Sequence, residues 1–410
     1  MLKSCQNRCD QAQVPTPDPT TDLPSISHAL LSGPKKPYSA IPALLYSSTR
    51  LASAGHVLPP RVPKMNASLV ESGRSRLGKQ IPVQIASTGM FAPTRIVTNE
   101  DLALLGCDSQ WIIQRTGIHE RRFASDDQAS SDLAYLAAID CLNRAKVDPK
   151  EVDLVLVATI TQDFMTPSTA CILQRKLGCI APAFDINAAC SGFMYGLIVG
   201  SQFVANGLAR NALIVGAEVM SRTVNPSDIK TYPLFGDGAG AALLQPVEPT
   251  ASSDPKTMTG ILAFTLGAEG SPESLCTPGG GSREPLTPEG LAQGRQYMQM
   301  DGKAVFKWAV RCVVDSCKDV VAASGYSLEN VDLLVMHQAN TRIIDAAIKD
   351  LQISPDKVIV NLNRYGNTSA ASIPLALHEA NLQGKLQKGK LALLCGFGAG
   401  LTWGTALLRL

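Results

Sequence analysis

Two strand-like segments recur in this chain at one fixed distance. Asp153-Leu-Val-Leu-Val157 is matched by Asp332-Leu-Leu-Val-Met336, and 332 minus 153 is 179. Ala212-Leu-Ile-Val-Gly216 is matched by Leu391-Ala-Leu-Leu-Cys395, and 391 minus 212 is again 179. The same offset carries Cys190 to Ser369, inside the run Gly366-Asn-Thr-Ser-Ala-Ala-Ser372. A constant offset across two strands and a turn implies a duplicated α/β unit. Its two strand-to-helix turns then face each other across a pseudo-two-fold axis.

The turn in the first copy is Phe184-Asp-Ile-Asn-Ala-Ala-Cys190-Ser-Gly-Phe193. An extended apolar piece, 181–186, leads into it, and an apolar helix, 192–206, leaves it. Gly207 suits the left-handed cap that ends such a helix. Cys190 thus stands near a helix N-terminus, where unpaired amides and the dipole favour a thiolate. Small neighbours, Ala188, Ala189, Ser191 and Gly192, leave room for a substrate against the sulfur. The rival reading is a buried core cysteine, the common fate of a free thiol.

The remaining pattern alternates strands with helices. Residues 81–87 read as a strand, 99–105 as a short helix and 132–145 as an amphipathic helix. Residues 153–159, 212–217 and 240–245 read as buried strands, and a helix over 305–323 precedes the strand at 332–337. The expectation is an α/β protein with a largely parallel or mixed sheet covered on both faces.

Composition narrows the function classes. The chain has 410 residues, 45% hydrophobic and 18% charged, which suits much buried sheet. A net charge of +2 gives no general affinity for polyanions, so no nucleic acid is expected. The 11 cysteines lack a CxxC pair, which points to a reducing compartment and away from disulfides or zinc. No apolar run approaches the roughly 20 residues of a membrane span. The glycines of Gly236-Asp-Gly-Ala-Gly240 do not fit a dinucleotide fingerprint after a strand. Neither a cofactor nor a metal is expected.

Residues 1–64 hold ten of the 26 prolines and show no helical or strand period, so they read as a disordered leader. They lack a signal-peptide core. Asp10, Asp18 and Asp22 weigh against a transit peptide, which leaves the cytoplasm as the expected location and a plastid as the alternative. The domain reading is a leader over 1–78, a first half over 79–257 with the cysteine, and a second half over 258–410.

Three chemically competent groups stand at related element ends. Cys190 comes from the first half, His337 ends a strand and opens His337-Gln-Ala-Asn340, and Asn367 begins the second turn. A thiolate accepts an acyl group. An imidazole and a carboxamide donate hydrogen bonds to an oxygen that gains charge. The competing readings are a satisfied core histidine and a plain turn asparagine.

Here the sequence resembles a known family. Asn187-Ala-Ala-Cys190-Ser-Gly-Phe193, His337-Gln-Ala-Asn-Thr-Arg-Ile-Ile344 and Tyr365-Gly-Asn367-Thr-Ser-Ala-Ala-Ser372 are similar to the three catalytic signatures of β-ketoacyl-[acyl-carrier-protein] synthase III. Trp111-Ile-Ile-Gln-Arg115-Thr-Gly-Ile118, Phe235-Gly-Asp-Gly-Ala-Gly-Ala241 and Phe397-Gly-Ala-Gly-Leu-Thr-Trp403 add to the likeness. The resemblance runs from about residue 81 to the C-terminus. It implies the duplicated thiolase fold, in αβαβα layers, and a homodimer.

The resemblance also implies a reaction and a set of contacts. Cys190 takes the acyl group of an acyl-CoA, malonyl-acyl-carrier-protein decarboxylates, and His337 with Asn367 stabilises the enolate. The backbone of Cys190 and of Gly398-Ala399-Gly400 supplies an oxyanion hole. Trp111 stacks on the CoA adenine, Arg115 lies near its phosphates and Asn340 near the pantetheine arm. Thr166 reaches the partner's acyl pocket, where short-chain members carry phenylalanine. Gln338, Arg342, Lys349 and Lys307, the last in a run with Lys303 and Arg311, meet the acidic carrier protein. Relatives place an arginine opposite the tryptophan after Pro-Thr-Asp; here Pro226-Ser-Asp228 is followed by Ile229 and Lys230. Two alternatives stay open: a related secondary-metabolite ketosynthase or acyltransferase, and a non-catalytic acyl-carrier-binding subunit.

Overall fold

A computed structural model describes residues 77–78, 80–106, 108–248 and 258–410. The proposed leader over 1–64 lies outside the described residues.

Two five-stranded sheets carry the chain. The strands of the first half are β2 (Val83–Phe91), β5 (Leu154–Ala158), β6 (Ala183–Ile186), β7 (Ala212–Glu218) and β8 (Gly238–Pro246), ordered β2-β8-β7-β5-β6. Those of the second sheet are β1 (Leu77–Gly78), β9 (Gly260–Ala268), β12 (Leu333–Met336), β13 (Leu391–Gly398) and β14 (Thr402–Arg409), ordered β1-β9-β14-β13-β12. The pairs β3 (Arg95–Thr98) with β4 (Glu120–Phe123), and β10 (Leu275–Cys276) with β11 (Gln299–Met300), form two small ribbons. Leu77 and Gly78, assigned to the leader by sequence, pair with Thr265 and Phe264 at the edge of the second sheet.

The two sheets repeat one design. β5 runs parallel to β6 and β7, while β8 is antiparallel to β7 and β2. β12 runs parallel to β13, and β14 is antiparallel to β13 and β9. Where β6 flanks Val155, a parallel bridge from Val358 flanks Leu334, and 334 minus 155 is 179.

The buried strands read as continuous apolar runs because both sheet faces are covered. Helices Gly192–Ala205 and Ser372–Leu382 lie between the sheets, and their residues Phe193, Leu197, Ile373 and Leu377 join the core there. Ser130–Ala145 and Thr169–Leu177 cover the outer face of the first sheet. Gly302–Ala323 and Thr341–Leu351 cover the outer face of the second. That gives five layers, αβαβα. The helix Gly192–Ala205 is apolar all round because it is sandwiched, and Gly207 beyond it takes a left-handed φ of 73°. No helix among the described residues is long and apolar enough to cross a membrane.

Candidate active site

Both inner helices open from the same unusual turn. Ala189–Ser191 precedes the first, and Ser369–Ala371 precedes the second. Ala189 has φ 45° and Ser369 φ 49°, left-handed conformations that cost a non-glycine residue about 1–3 kcal/mol. These two strained residues are structural equivalents, and 369 minus 189 is 180. The equivalent of Cys190 is therefore Ala370, not the Ser369 that the strand offset of 179 selects. One residue is gained between the strands and the turn. Asn187 and Asn367 are equivalent in the same frame.

Cys190 is buried where the turns meet the end of β13. A Cβ on Gly398 would lie 2.8 Å from both the backbone nitrogen and the Cβ of Cys190, so only glycine fits beside the nucleophile. Thr402 Oγ1 lies 3.1 Å from Ala188 O, 2.8 Å from Ala399 O and 2.9 Å from Ser191 Oγ. It thus ties the 398–401 turn to the cysteine turn. Ala399 is half-buried there, against the apolar cluster that includes Met220 and Phe235.

The electrostatics correct the expectation of a resting thiolate. Burial pushes the Cys190 thiol up to about 12, with Ser369 pulling it down and the Glu218 charge pushing it further up. The helix terminus does not overcome desolvation, so the resting sulfur is a thiol.

His337 follows β12 and donates its backbone N–H to Cys395 O at 2.8 Å. Its ring meets Phe397 edge-on with centroids 5.1 Å apart, one residue before Gly398. Nδ1 lies 2.6 Å from Ser372 Oγ. Burial holds the imidazole down to about 3, so it is neutral at physiological pH. Asn367 is pinned by its backbone, N to Leu234 O at 2.8 Å and O from Gly236 N at 3.1 Å. Its Oδ1 accepts from Ser369 N at 2.9 Å, which leaves Nδ2 as the donor.

The outer residues divide. Trp111 and Arg115 sit on the helix Ser109–Thr116, with the Arg115 guanidinium 4.5 Å from the indole centroid. Arg115 thus supplies a cation to that ring from its own helix, while Ile229 joins the apolar cluster around it. Asn340 caps Thr341–Leu351, accepting from Arg342 N at 2.9 Å, and its Nδ2 donates to Arg115 O at 3.1 Å. It thus ties its own helix to the Trp111 helix, and neither bond uses its second Nδ2 hydrogen. Arg342 donates to Gln114 O at 3.0 Å from an exposed position.

Gln338 is a correction. It is buried, its Nε2 donates to Met336 O and Ile359 O at 2.8 and 3.1 Å, and its Oε1 accepts from Asn361 N at 3.1 Å. A side chain consumed this way cannot meet a carrier protein. Lys307 and Lys349 are exposed. Thr166 is exposed on the loop before Thr169–Leu177, and its neighbours Phe164 and Met165 are 61% and 81% exposed.

Sequence reasoning missed three residues. Ser372 touches His337, Thr402 laces the turns, and Glu218 ends β7 fully buried. A carboxylate closing the apolar run 212–218 was the available signal for the last.

The chain has relatives among known proteins. It matches the family described as 3-oxoacyl-[acyl-carrier-protein (ACP)] synthase III over residues 184–270. The C-terminal part of that synthase matches over 321–410. A β-ketoacyl-[acyl-carrier-protein] synthase III of Rhodopirellula baltica is 58% identical over 344 residues, 81% of this chain and 100% of the relative. The chain belongs to the β-ketoacyl-[acyl-carrier-protein] synthase III family. One of Symbiobacterium thermophilum is 48% identical, covering 80% of this chain and 98% of its own. The crystal structure of the Aquifex aeolicus synthase III is 42% identical with a TM-score of 0.71, covering 80% of this chain and all of that one. The fold is the duplicated, thiolase-like one of the synthase III family.

Proposed function

We propose that this enzyme starts fatty acid synthesis by moving an acyl group from acyl-CoA to Cys190 and condensing it with malonyl-acyl-carrier-protein. The observation that supports this reading is that Cys190, His337 and Asn367 are all buried at element ends: the cysteine turn packs on Gly398 of β13, His337 after β12 packs on Phe397 of β13, and the asparagine turn carries the carboxamide.

The Cys190 sulfur attacks the thioester carbonyl, CoA leaves as its thiol and the cysteine proton is lost to it. The backbone of Cys190 and of the 398–400 turn faces the tetrahedral oxygen. The malonyl group then loses CO2, leaving an enolate on the carrier thioester. Asn367 Nδ2 donates to that oxygen. Ser372 Oγ lies 2.6 Å from His337 Nδ1; in the tautomer where the hydroxyl donates there, Nε2 carries the second donor hydrogen. The enolate carbon attacks the acyl-cysteine, the 3-ketoacyl-carrier leaves, and the sulfur is reprotonated. A histidine held down to about 3 stays neutral, so no loss of enolate stabilisation from its protonation is expected between pH 5 and 8.

A homodimer completes the acyl pocket. β6 is the edge strand of its sheet, and the nearby Ile180, Met165 and Phe164 are 100%, 81% and 61% exposed. An edge with a bare apolar rim is a pairing surface. Thr166 on that rim enters the partner's pocket, and Arg342, Lys307 and Lys349 form the basic side that meets the carrier. The soluble phase of the cytoplasm is the site of action.

The test is product analysis with labelled acyl-CoA and malonyl-acyl-carrier-protein. A 3-ketoacyl carrier is expected. Acyl carrier bound without a condensed product points to a non-catalytic subunit, and a product not held on the fatty acid carrier to a secondary-metabolite enzyme. A primer series from acetyl- to lauroyl-CoA reads Thr166. The wild type should accept primers longer than acetyl. Thr166→Phe should remove buried space at about 0.8 kcal/mol per methylene, a roughly fourfold drop in kcat/KM for each excess carbon. A wild type that prefers acetyl-CoA and is unchanged by the substitution contradicts the pocket-end role.

A further inference from the structure

Glu218 is a fully buried acid whose hydrogen-bond partners are all neutral. Its Oε2 accepts from Thr161 Oγ1 at 2.7 Å, Thr159 Oγ1 at 3.1 Å and Ile160 N at 3.1 Å. Its Oε1 accepts from Ser369 Oγ at 2.9 Å. Four donors suit an acceptor-only carboxylate; a protonated acid would set its own O–H against one of them. Burying such a group is costly, and a hydrophobic residue would close β7 at less cost. A carboxyl kept there despite the cost marks a functional position.

Ser369 is the link to the active site. It is one of the two strained turn residues, at φ 49°. Its N–H orients Asn367 Oδ1 at 2.9 Å while its hydroxyl is held by Glu218. One carboxylate therefore braces the asparagine turn.

We propose that Glu218 is a positioning residue for condensation: through Ser369 it fixes the Asn367 carboxamide. This rests on the role given above to Asn367.

The other ionisable groups on the surrounding elements have their own partners. Asp163 accepts from Ser131 N at 2.9 Å. Asp237 accepts from Ala124 N at 2.8 Å and from Ser221 Oγ at 2.7 Å. His337 is paired with Ser372 at 2.6 Å. Burial raises the Glu218 carboxyl to about 7, so above pH 8 it is the charged form that holds Ser369.

The experiment compares wild type, Glu218→Gln and Ser369→Ala as full-length protein. It reads acyl uptake by Cys190 and condensation separately at pH 8.5, with thermal melting beside them. In both variants condensation should fall about 10- to 100-fold, the cost of a misplaced catalytic group, and acyl uptake should fall by less. A merely structural role would lower both half-reactions together. Should the glutamine variant not fold, Ser369→Ala keeps the buried carboxylate and carries the test. Uptake and condensation lowered to the same extent, or full condensation by Ser369→Ala, overturns the proposal. Uptake of label by Cys190→Ala would instead contradict the assignment of the nucleophile.

Discussion

Cys190→Ala should fold and take up no acyl label from acyl-CoA. The loss is expected to be complete, not partial, because the first half-reaction needs a covalent carrier. Cys395 and Cys317 do not replace it, being buried in the core beneath the outer helices of the second sheet. The fold should survive because alanine is smaller than cysteine and Gly398 packs against the backbone and Cβ, which alanine keeps. A melting temperature near wild type, measured beside the loss of label, separates chemistry from unfolding. Label retained at the wild-type level contradicts the assignment.

His337→Ala and Asn367→Ala should separate the two half-reactions. Each should still be acylated, since neither residue is asked to carry the acyl group. Each should lose condensation by about 100- to 1,000-fold, the usual cost of removing one donor to a developing oxyanion. The histidine change also empties space beside Phe397 and strands the Ser372 hydroxyl. A stability loss of about 1–3 kcal/mol is expected there from the unsatisfied group, so thermal melting accompanies the rate measurement. The asparagine change is milder for the fold, because the backbone of residue 367 is pinned independently to Leu234 and Gly236. Single-turnover decarboxylation of malonyl-acyl-carrier-protein by the unacylated and acylated enzymes checks both. Condensation at near the wild-type rate removes the residue concerned from the mechanism.

Most of the fold was legible because buried strands announce themselves. The run 212–217 and the run 391–396 are apolar at every position, as strands covered on both faces must be. Their equal spacing carried the duplication. The proposed catalytic trio stood out for a related reason, since each member sits at an element end where the apolar pattern breaks. What escaped was register and partnership. The 180-residue offset of the turns depends on which residues take φ 45° and 49°, and no residue preference announces that for alanine or serine. Gln338 looked available because amides are usually exposed, yet buried contacts consume it. The Cys190 environment escaped because a helix terminus can be read from sequence, whereas depth of burial cannot, and depth decides the sign. Glu218 was hidden for the same reason: its importance lies in four donors drawn from residues 57 to 151 positions away.

The most direct test of the central claim is a pulse and chase on the wild-type enzyme. The protein is loaded with acetyl-CoA or a longer acyl-CoA, digested, and the Cys190 peptide is weighed before and after malonyl-acyl-carrier-protein is added. One acyl group should appear on Cys190 and then leave as a 3-ketoacyl carrier, in equal amounts. An acyl group found on another residue, or one on Cys190 that the malonyl carrier does not discharge, would contradict the account.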